Sequence, residues 1–252
     1  MHPEIDKFAH LESHIHNWDP RLKIFSLFFY IFTISAINNL IIIFFCFCSA
    51  VILTFISKIP VSFVFKRLRW VMLFLLPFFI ILPFTDGGKT LFYLFTLPIN
   101  SKGLYLGTLV YLRALTVVIL IFPTFGTTPF DITIKAIQRL KVPEVLVQIF
   151  LISYRYIFVF LEEMQRMHTA ILARGFRMQT NLHSLKTIGN FVGMLLVRSF
   201  ERTDWIYRAM WSRGYNGNLQ TFYKFNVNSY DILKSTFFIL LSLALIWTDK
   251  IL

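Results

Sequence analysis

Two stretches of the chain place a small residue, an arginine, a glycine and an aromatic residue in the same order: Ala173-Arg174-Gly175-Phe176 and Ser212-Arg213-Gly214-Tyr215. Glu162 and Glu201 share their 39-residue offset, as do Ala170 and Ala209, so this part of the chain repeats itself loosely. The chemistry of such a tetrad is that of a helix tip. Glycine supplies the left-handed position that ends a helix, and a cation just before it favours the negative end of the helix dipole. Arginine adds a planar, always-charged fork that suits a carboxylate or carbonyl groove. One tetrad alone would be an ordinary helix end, but two on long basic helices suggest a docking device for two copies of a partner.

Other groups that could do chemistry carry weaker patterns. His10 and His14 lie one helical turn apart with Glu12 between them and His16 beyond, a surface spacing open to a divalent ion but completed by no compelling ligand set; an interfacial amphipathic segment is the expectation, and no metal site is assigned. His2, His168 and His183 form no pattern. Gly87-Gly88-Lys89-Thr90 imitates the tail of a phosphate loop, yet Pro83 stands where its first glycine belongs and no buried strand precedes it. Glu162 and Glu163 are adjacent and so lie on different helix faces. With no Ser/His/Asp arrangement and no H-E-x-x-H, the chain reads as non-catalytic, without ATPase activity of its own. Cys46 and Cys48, two apart in an uncharged run, are poorly disposed for a mutual disulfide and read as packing residues. Arg113 stands alone in an apolar run, where a charge costs about 2.5 to 3.5 kcal/mol even on the lenient insertion scale. It either ties its span to a neighbour or to a partner subunit, or forms a buried packing pair within the chain; no acid lies at matching depth in another expected span, and carbonyl oxygens would serve.

The elements that carry these residues are membrane helices. Of 252 residues, 56% are hydrophobic and 15% charged, with 30 Phe, and a net charge of +12 is displaced into a few segments. Soluble domains average about 25% charged residues, and a soluble domain of this size could not hide so much apolar surface. The composition also excludes disorder and a disulfide scaffold, and argues against a nucleic-acid binder. The first 23 residues are charged and lack an apolar core, unlike a cleavable signal peptide. Ile24 to Ser57 contains no charge, a helical rise of about 50 Å, too long for one crossing of a roughly 30 Å core; Asn38 and Asn39 therefore mark a hairpin between two short spans. Trp70–Thr85, interrupted by Pro77 and Pro83, gives a third span, Gly103–Phe125 a fourth and Ile232–Trp247 a fifth.

Val145–Leu161 is apolar enough to suggest another crossing, but basic residues flank it on both sides: Lys135, Arg139 and Lys141 before, and a series from Arg166 to Lys224 after. Both flanks favour the cytoplasm, so the stretch is expected along the inner interface. The basic loop Lys58–Arg69 also favours the inside, whereas Asp86–Lys102 is charge-poor. The expected fold is an all-α polytopic membrane protein of about five transmembrane helices plus a cytoplasmic bundle of long coupling helices. Its parts are an N-terminal cytoplasmic amphipathic segment (1–23), four transmembrane helices (24–126), the coupling-helix region (127–229) and a last crossing (230–252), with the N-terminus inside. Helix starts are expected near Pro129 and Pro143.

Ala173-Arg174-Gly175, Ser212-Arg213-Gly214 and the run from Thr127 to Gly175 resemble the transmembrane T-component (EcfT/CbiQ type) of energy-coupling factor ABC importers, over nearly the whole chain. The resemblance implies that each tripeptide ends a coupling helix, and that Arg174 and Arg213 each enter a groove on one of two cytosolic ATP-binding cassette subunits. Ser212 replaces the alanine of the motif, a small-for-small change. Ile5–Ile24, with Asp19, Pro20, Arg21 and Lys23, is similar to the opening of the cobalt/nickel subtype, in which an amphipathic segment and an Asp-Pro-Arg-x-Lys sequence lead into the first span. The implied function is the non-catalytic coupling subunit of a cobalt or nickel importer in a bacterial or archaeal inner membrane. Its implied partners are two ATPases, which bind the ATP, a separate membrane substrate-binding subunit, and the lipid bilayer. A vitamin importer of the same type, an integral membrane enzyme and a basic lipid-binding module are the alternatives.

Overall fold

The computed structural model describes residues 8–9, 11, 13–85, 90–94, 97–140, 142–217 and 227–251. Among these are eight helices and one small hairpin: α1 (Pro20–Ala36), α2 (Leu40–Ile56), α3 (Val61–Thr85), β1 (Thr90–Leu94), β2 (Leu97–Asn100), α4 (Ser101–Phe125), α5 (Phe130–Arg139), α6 (Glu144–Ala173), α7 (Leu182–Ser212) and α8 (Ser229–Ile251). The chain divides into two compact units, Met1–Ala136 with Tyr223–Leu252, and Ile137–Phe222. It is an all-α polytopic membrane protein. By length and composition, α3, α4, α6 and α8 are each long and apolar enough to cross a bilayer. Helices α1 and α2 have 17 residues each, a rise of about 25 Å.

The first unit is built around α1. Asp19 caps the helix, its Oδ1 accepting from the Arg21 N–H at 2.9 Å, and Pro20 takes the first helical position, where its missing N–H costs nothing. The Arg21 guanidinium folds back onto the Asp19 carboxylate at 2.9 Å. The Asp-Pro-Arg sequence thus has a local explanation as cap, pre-set first residue and neutralising partner of a buried acid. The core lies where α1, α2 and α4 meet, with Leu27, Ile34, Ile43 and Leu120 almost wholly buried. Tyr30 is buried as well, and its hydroxyl hydrogen-bonds Ser49 Oγ on α2 at 2.7 Å, which satisfies a polar tip that lipid would leave unpaired. Helix α8 runs parallel to α1: Trp18 stacks on Phe238 at 5.9 Å, Tyr30 packs on the same ring, and Asp249 reaches the turn after α1. Cys46 is buried and Cys48 half-buried, and both thiols are free.

The α1–α2 turn falls at Asn38–Asn39, with Asn39 Oδ1 capping α2 through the Ile41 N–H at 3.0 Å. The third helix departs from expectation. It begins at Val61 rather than near Trp70, so Lys66, Arg67 and Arg69 lie on its first turns and not in a loop. Charge marks where a helix leaves an apolar medium, and long basic side chains are good helix formers. Pro77 and Pro83 stay inside α3 and remove the N–H partners of the Leu73 and Phe79 carbonyls. Helix α4 approaches this stretch closely: a side chain at Gly103 would press on the Leu82 carbonyl oxygen, and one at Gly107 would meet Phe79 O at 3.6 Å. Between α3 and α4, where a charge-poor loop was expected, β1 and β2 pair antiparallel.

Candidate functional site

In the second unit, α6 and α7 run antiparallel, because their contacts follow one helix in the reverse order of the other. Gln148, near the start of α6, donates to the Gly217 carbonyl at 2.7 Å and accepts from the Tyr215 hydroxyl at 2.6 Å, just past the end of α7. Further along, the Arg202 guanidinium lies over the Tyr156 ring at 5.8 Å, and Glu163 forms an ion pair with Arg198. Glu162, by contrast, faces its own helix and meets Arg166 at 3.7 Å. The adjacent carboxylates therefore have separate partners and form no acid pair.

Both helices end identically. Arg174 and Arg213 are the capping residues, and Gly175 and Gly214 follow with φ of +81° and +82°. Phe176 N–H reaches Ile171 O at 3.3 Å and Gly175 N–H reaches Leu172 O at 3.0 Å. The corresponding bonds after α7 are Tyr215 N–H to Met210 O at 3.1 Å and Gly214 N–H to Trp211 O at 3.0 Å. These are two copies of the Schellman motif, in which a left-handed glycine lets the chain turn back and satisfy the last carbonyls. Nothing lies within 4 Å of the Cβ position of either glycine, so backbone conformation alone requires them. Ala173, Arg174, Ser212 and Arg213 are exposed, and no ion pair engages either arginine among the described residues. Ser212 Oγ bonds back to Ala209 O at 3.1 Å, leaving the cap as alanine would. Because the helices are antiparallel, the two arginines stand at opposite ends of the pair, on the order of 40 Å apart at 1.5 Å per residue.

Arg113 lies on α4 in the first unit. Its Nη2 donates to the Ile37 carbonyl and, at 3.3 Å, to Asn38 Oδ1, while its buried Nε has no partner. The same turn is gripped from two other sides. Asp249 of α8 accepts from Asn38 N–H at 3.2 Å and Asn39 N–H at 3.1 Å, and the Tyr105 hydroxyl donates to Asn38 O at 2.9 Å. An acid therefore does lie level with Arg113, contrary to the sequence reading, and the two charges are bridged by the peptide groups of the turn. Asp249 was missed because the apolar run was ended at Trp247, whereas α8 continues to Ile251.

Of the histidines, His16 spends both ring nitrogens inside its own segment: Nε2 donates to Phe8 O at 2.9 Å and Nδ1 accepts from Ser13 Oγ at 2.7 Å. Burial pushes its imidazole below the ordinary value despite the carbonyl bond. His2, His10, Glu12 and Gly87-Gly88-Lys89 lie outside the described residues.

A sequence profile of the CbiQ family, described as cobalt transport protein, matches residues 12–223. The energy-coupling factor transporter transmembrane protein EcfT of Streptococcus equi is 32% identical over 218 residues, covering 81% of this chain and 80% of that protein. An uncharacterised protein of Methanocaldococcus jannaschii is 29% identical over 253 residues, 97% of this chain and 86% of its own length. A protein of Methanocorpusculum labreanum named as a fused cobalt transport protein, CbiMQ, is 31% identical over 143 residues, 55% of this chain and 24% of its own.

Proposed function

The chain belongs to the CbiQ family, and from that premise we propose that it is the transmembrane coupling subunit of an energy-coupling factor ABC importer. It is a non-catalytic transport component. It takes the motion of two cytosolic ATP-binding cassette subunits, which bind the ATP, and passes it to a separate membrane subunit that binds the substrate. The observation that carries this reading is the pair of identically capped, exposed arginine tips, Ala173-Arg174-Gly175 and Ser212-Arg213-Gly214, at the two ends of one antiparallel helix pair. Each tip offers a planar cation to a groove of carboxylates or carbonyls, and their separation suits two distinct receptors. Closure of the ATPases on ATP and their reopening would carry both tips, and through α5 and α8 the membrane helices.

The proposed topology has α1, α2, α3, α4 and α8 in the membrane, with α6 and α7 on the cytoplasmic side. One internal argument supports it. Thr127, just after α4, bonds Lys23, and Ser235, near the start of α8, bonds Trp18; both residues therefore sit at the N-terminal end of α1. The chain leaves and rejoins the membrane helices on one side, so an even number of crossings lies between. If α6 crossed, α7 would have to cross too, and α7 carries Lys186, Arg198, Glu201, Arg202, Asp204 and Arg208. At about 2.5 to 3.5 kcal/mol per central charge, that is prohibitive, and zero crossings satisfies the parity.

Cobalt or nickel ion is the proposed substrate, supported by the family description, the fused relative and the Asp19-Pro20-Arg21-x-Lys23 lead-in; the match to EcfT keeps a vitamin as the competing cargo. The test is charge reversal at both tips. Arg174→Glu with Arg213→Glu should abolish co-purification of the ATPases and reduce uptake of radioactive cobalt or nickel at least tenfold, with the chain still inserted in the membrane. Undiminished assembly and uptake would remove the role assigned to these arginines, and vitamin uptake without metal uptake would remove the substrate while leaving the coupling role.

A further inference from the structure

Lys23 is completely buried, and among the described residues no carboxylate pairs with it. Its ammonium donates instead to Thr127 Oγ1 at 2.8 Å and to Thr128 Oγ1, two hydroxyls that are themselves buried. Burying a cation against neutral partners costs more than an apolar side chain would in the same place, so packing alone does not account for a lysine here. What the bond fixes is position. Thr127 and Thr128 are the residues at which the chain leaves α4 for α5 and the second unit.

Five to nine residues before Lys23, the same segment holds the returning connection. The Trp18 indole N–H donates to Ser235 Oγ at 3.1 Å while its ring stacks on Phe238, and Lys234 Nζ donates to the His14 carbonyl at 3.0 Å. Ser235 and Lys234 lie in the first turns of α8, the first helix after the second unit ends at Phe222. One short stretch of chain therefore grips both the outgoing and the incoming connection of the inserted unit, through side chains separated from it by more than a hundred residues of sequence.

We propose that His14–Lys23 is a yoke that keeps the two connections of the inserted unit in fixed register at one end of the membrane helices, with Lys23 as its positioning residue. This rests on the coupling-subunit reading for its functional consequence: displacement of the inserted unit reaches α4 and α8 as one motion, and without the yoke each connection yields separately and ATP hydrolysis is uncoupled from transport. The physical content, that the two connections are mechanically joined, does not rest on it.

The test has two arms. In the first, hydrogen exchange is followed in the purified full chain carrying Lys23→Met. Exchange should rise at least tenfold at residues 127–133 and also at 227–235, which Lys23 does not touch, and Lys23→Arg should restore much of the protection. Loosening confined to 127–133, or none, overturns the yoke. Should Lys23→Met fail to fold, Trp18→Phe, which keeps a ring against Phe238 and loses the N–H, must loosen 127–133 in return; protection there at the wild-type level overturns the proposal equally. The second arm measures substrate taken up per ATP hydrolysed in liposomes containing the chain with its ATPases and binding subunit. The ratio should fall at least fivefold in Lys23→Met with the ATPases still bound, and an unchanged ratio overturns the positioning role. If the wild-type chain retains no ATPases, the coupling reading fails, while the exchange arm still decides whether the yoke exists.

Discussion

Gly175 and Gly214 show how a single backbone angle governs what an arginine can do. With φ near +80° and open space around both, alanine would meet no neighbour yet would pay the left-handed penalty of about 1 kcal/mol. Gly175→Ala and Gly214→Ala should therefore each fray the last turn of the preceding helix and misdirect its arginine, weakening ATPase co-purification without changing membrane insertion; hydrogen exchange at Phe176 and Tyr215 N–H reads the fraying directly. His16 gives a pH dependence with a definite sign. Its folded-state value lies below the ordinary 6.5, so the packing of residues 13–19 is at full strength above that value. It is lost as pH falls through the depressed one, because the loosened segment takes up the proton first. Exchange in this segment relative to its intrinsic rate, which itself falls with pH, should rise as the medium is acidified below about 6.5, and His16→Gln should flatten that ratio. The capped tetrads were legible in the sequence because all their determinants are local. The partners of Lys23 and of Arg113 were not, since a bond across 104 or 76 positions leaves no spacing signature in one chain.

Among the elements, ends marked by a proline, a glycine cap or a polar turn were readable, as at Pro129, Pro143, Gly175 and Gly214, and ends without such a mark were not. Asn38–Asn39 had to be a turn because no single span accommodates the uncharged run on both sides of it. The start of α3 was misplaced because Lys66, Arg67 and Arg69 look like loop residues in composition while being good helix formers in conformation. The hairpin of β1 and β2 was passed over because its residues are as apolar as the spans beside it. The α3–α4 pair makes a sharp prediction. At Gly103 an added methyl group would press on the Leu82 carbonyl and on Pro83 Cα at 2.7 Å, both backbone atoms that cannot swing aside, whereas at Gly107 it meets ordinary contact distances. Gly103→Ala should lower the stability of the solubilised protein by about 1 to 3 kcal/mol, and Gly107→Ala should lie within about 0.5 kcal/mol of wild type. Thermal unfolding of the two variants side by side checks the contrast. A larger effect at Gly107 than at Gly103 would mean that the two helices pack otherwise.

For the whole molecule, the proposed topology is tested by labelling. With Cys46 and Cys48 replaced, cysteine at Lys102 should react with an impermeant thiol reagent in intact cells, and cysteine at Lys186 should react only after permeabilisation; external labelling at position 186 would put α6 across the membrane. The insertion of one unit inside the other also sets a schedule for biogenesis. Trp18, just before α1, and Tyr30, on it, are covered by α8, yet α8 is made about a hundred residues after α4 is complete. At roughly 5 to 20 residues per second of synthesis, the first four helices wait on the order of 5 to 20 s with that surface open. Asn38 and Asn39 spend the same interval without the Asp249 carboxylate that later accepts their N–H groups. During translation, then, the nascent protein presents α6 and α7 before the packing of its first unit is sealed, and α8 supplies the wall that closes it.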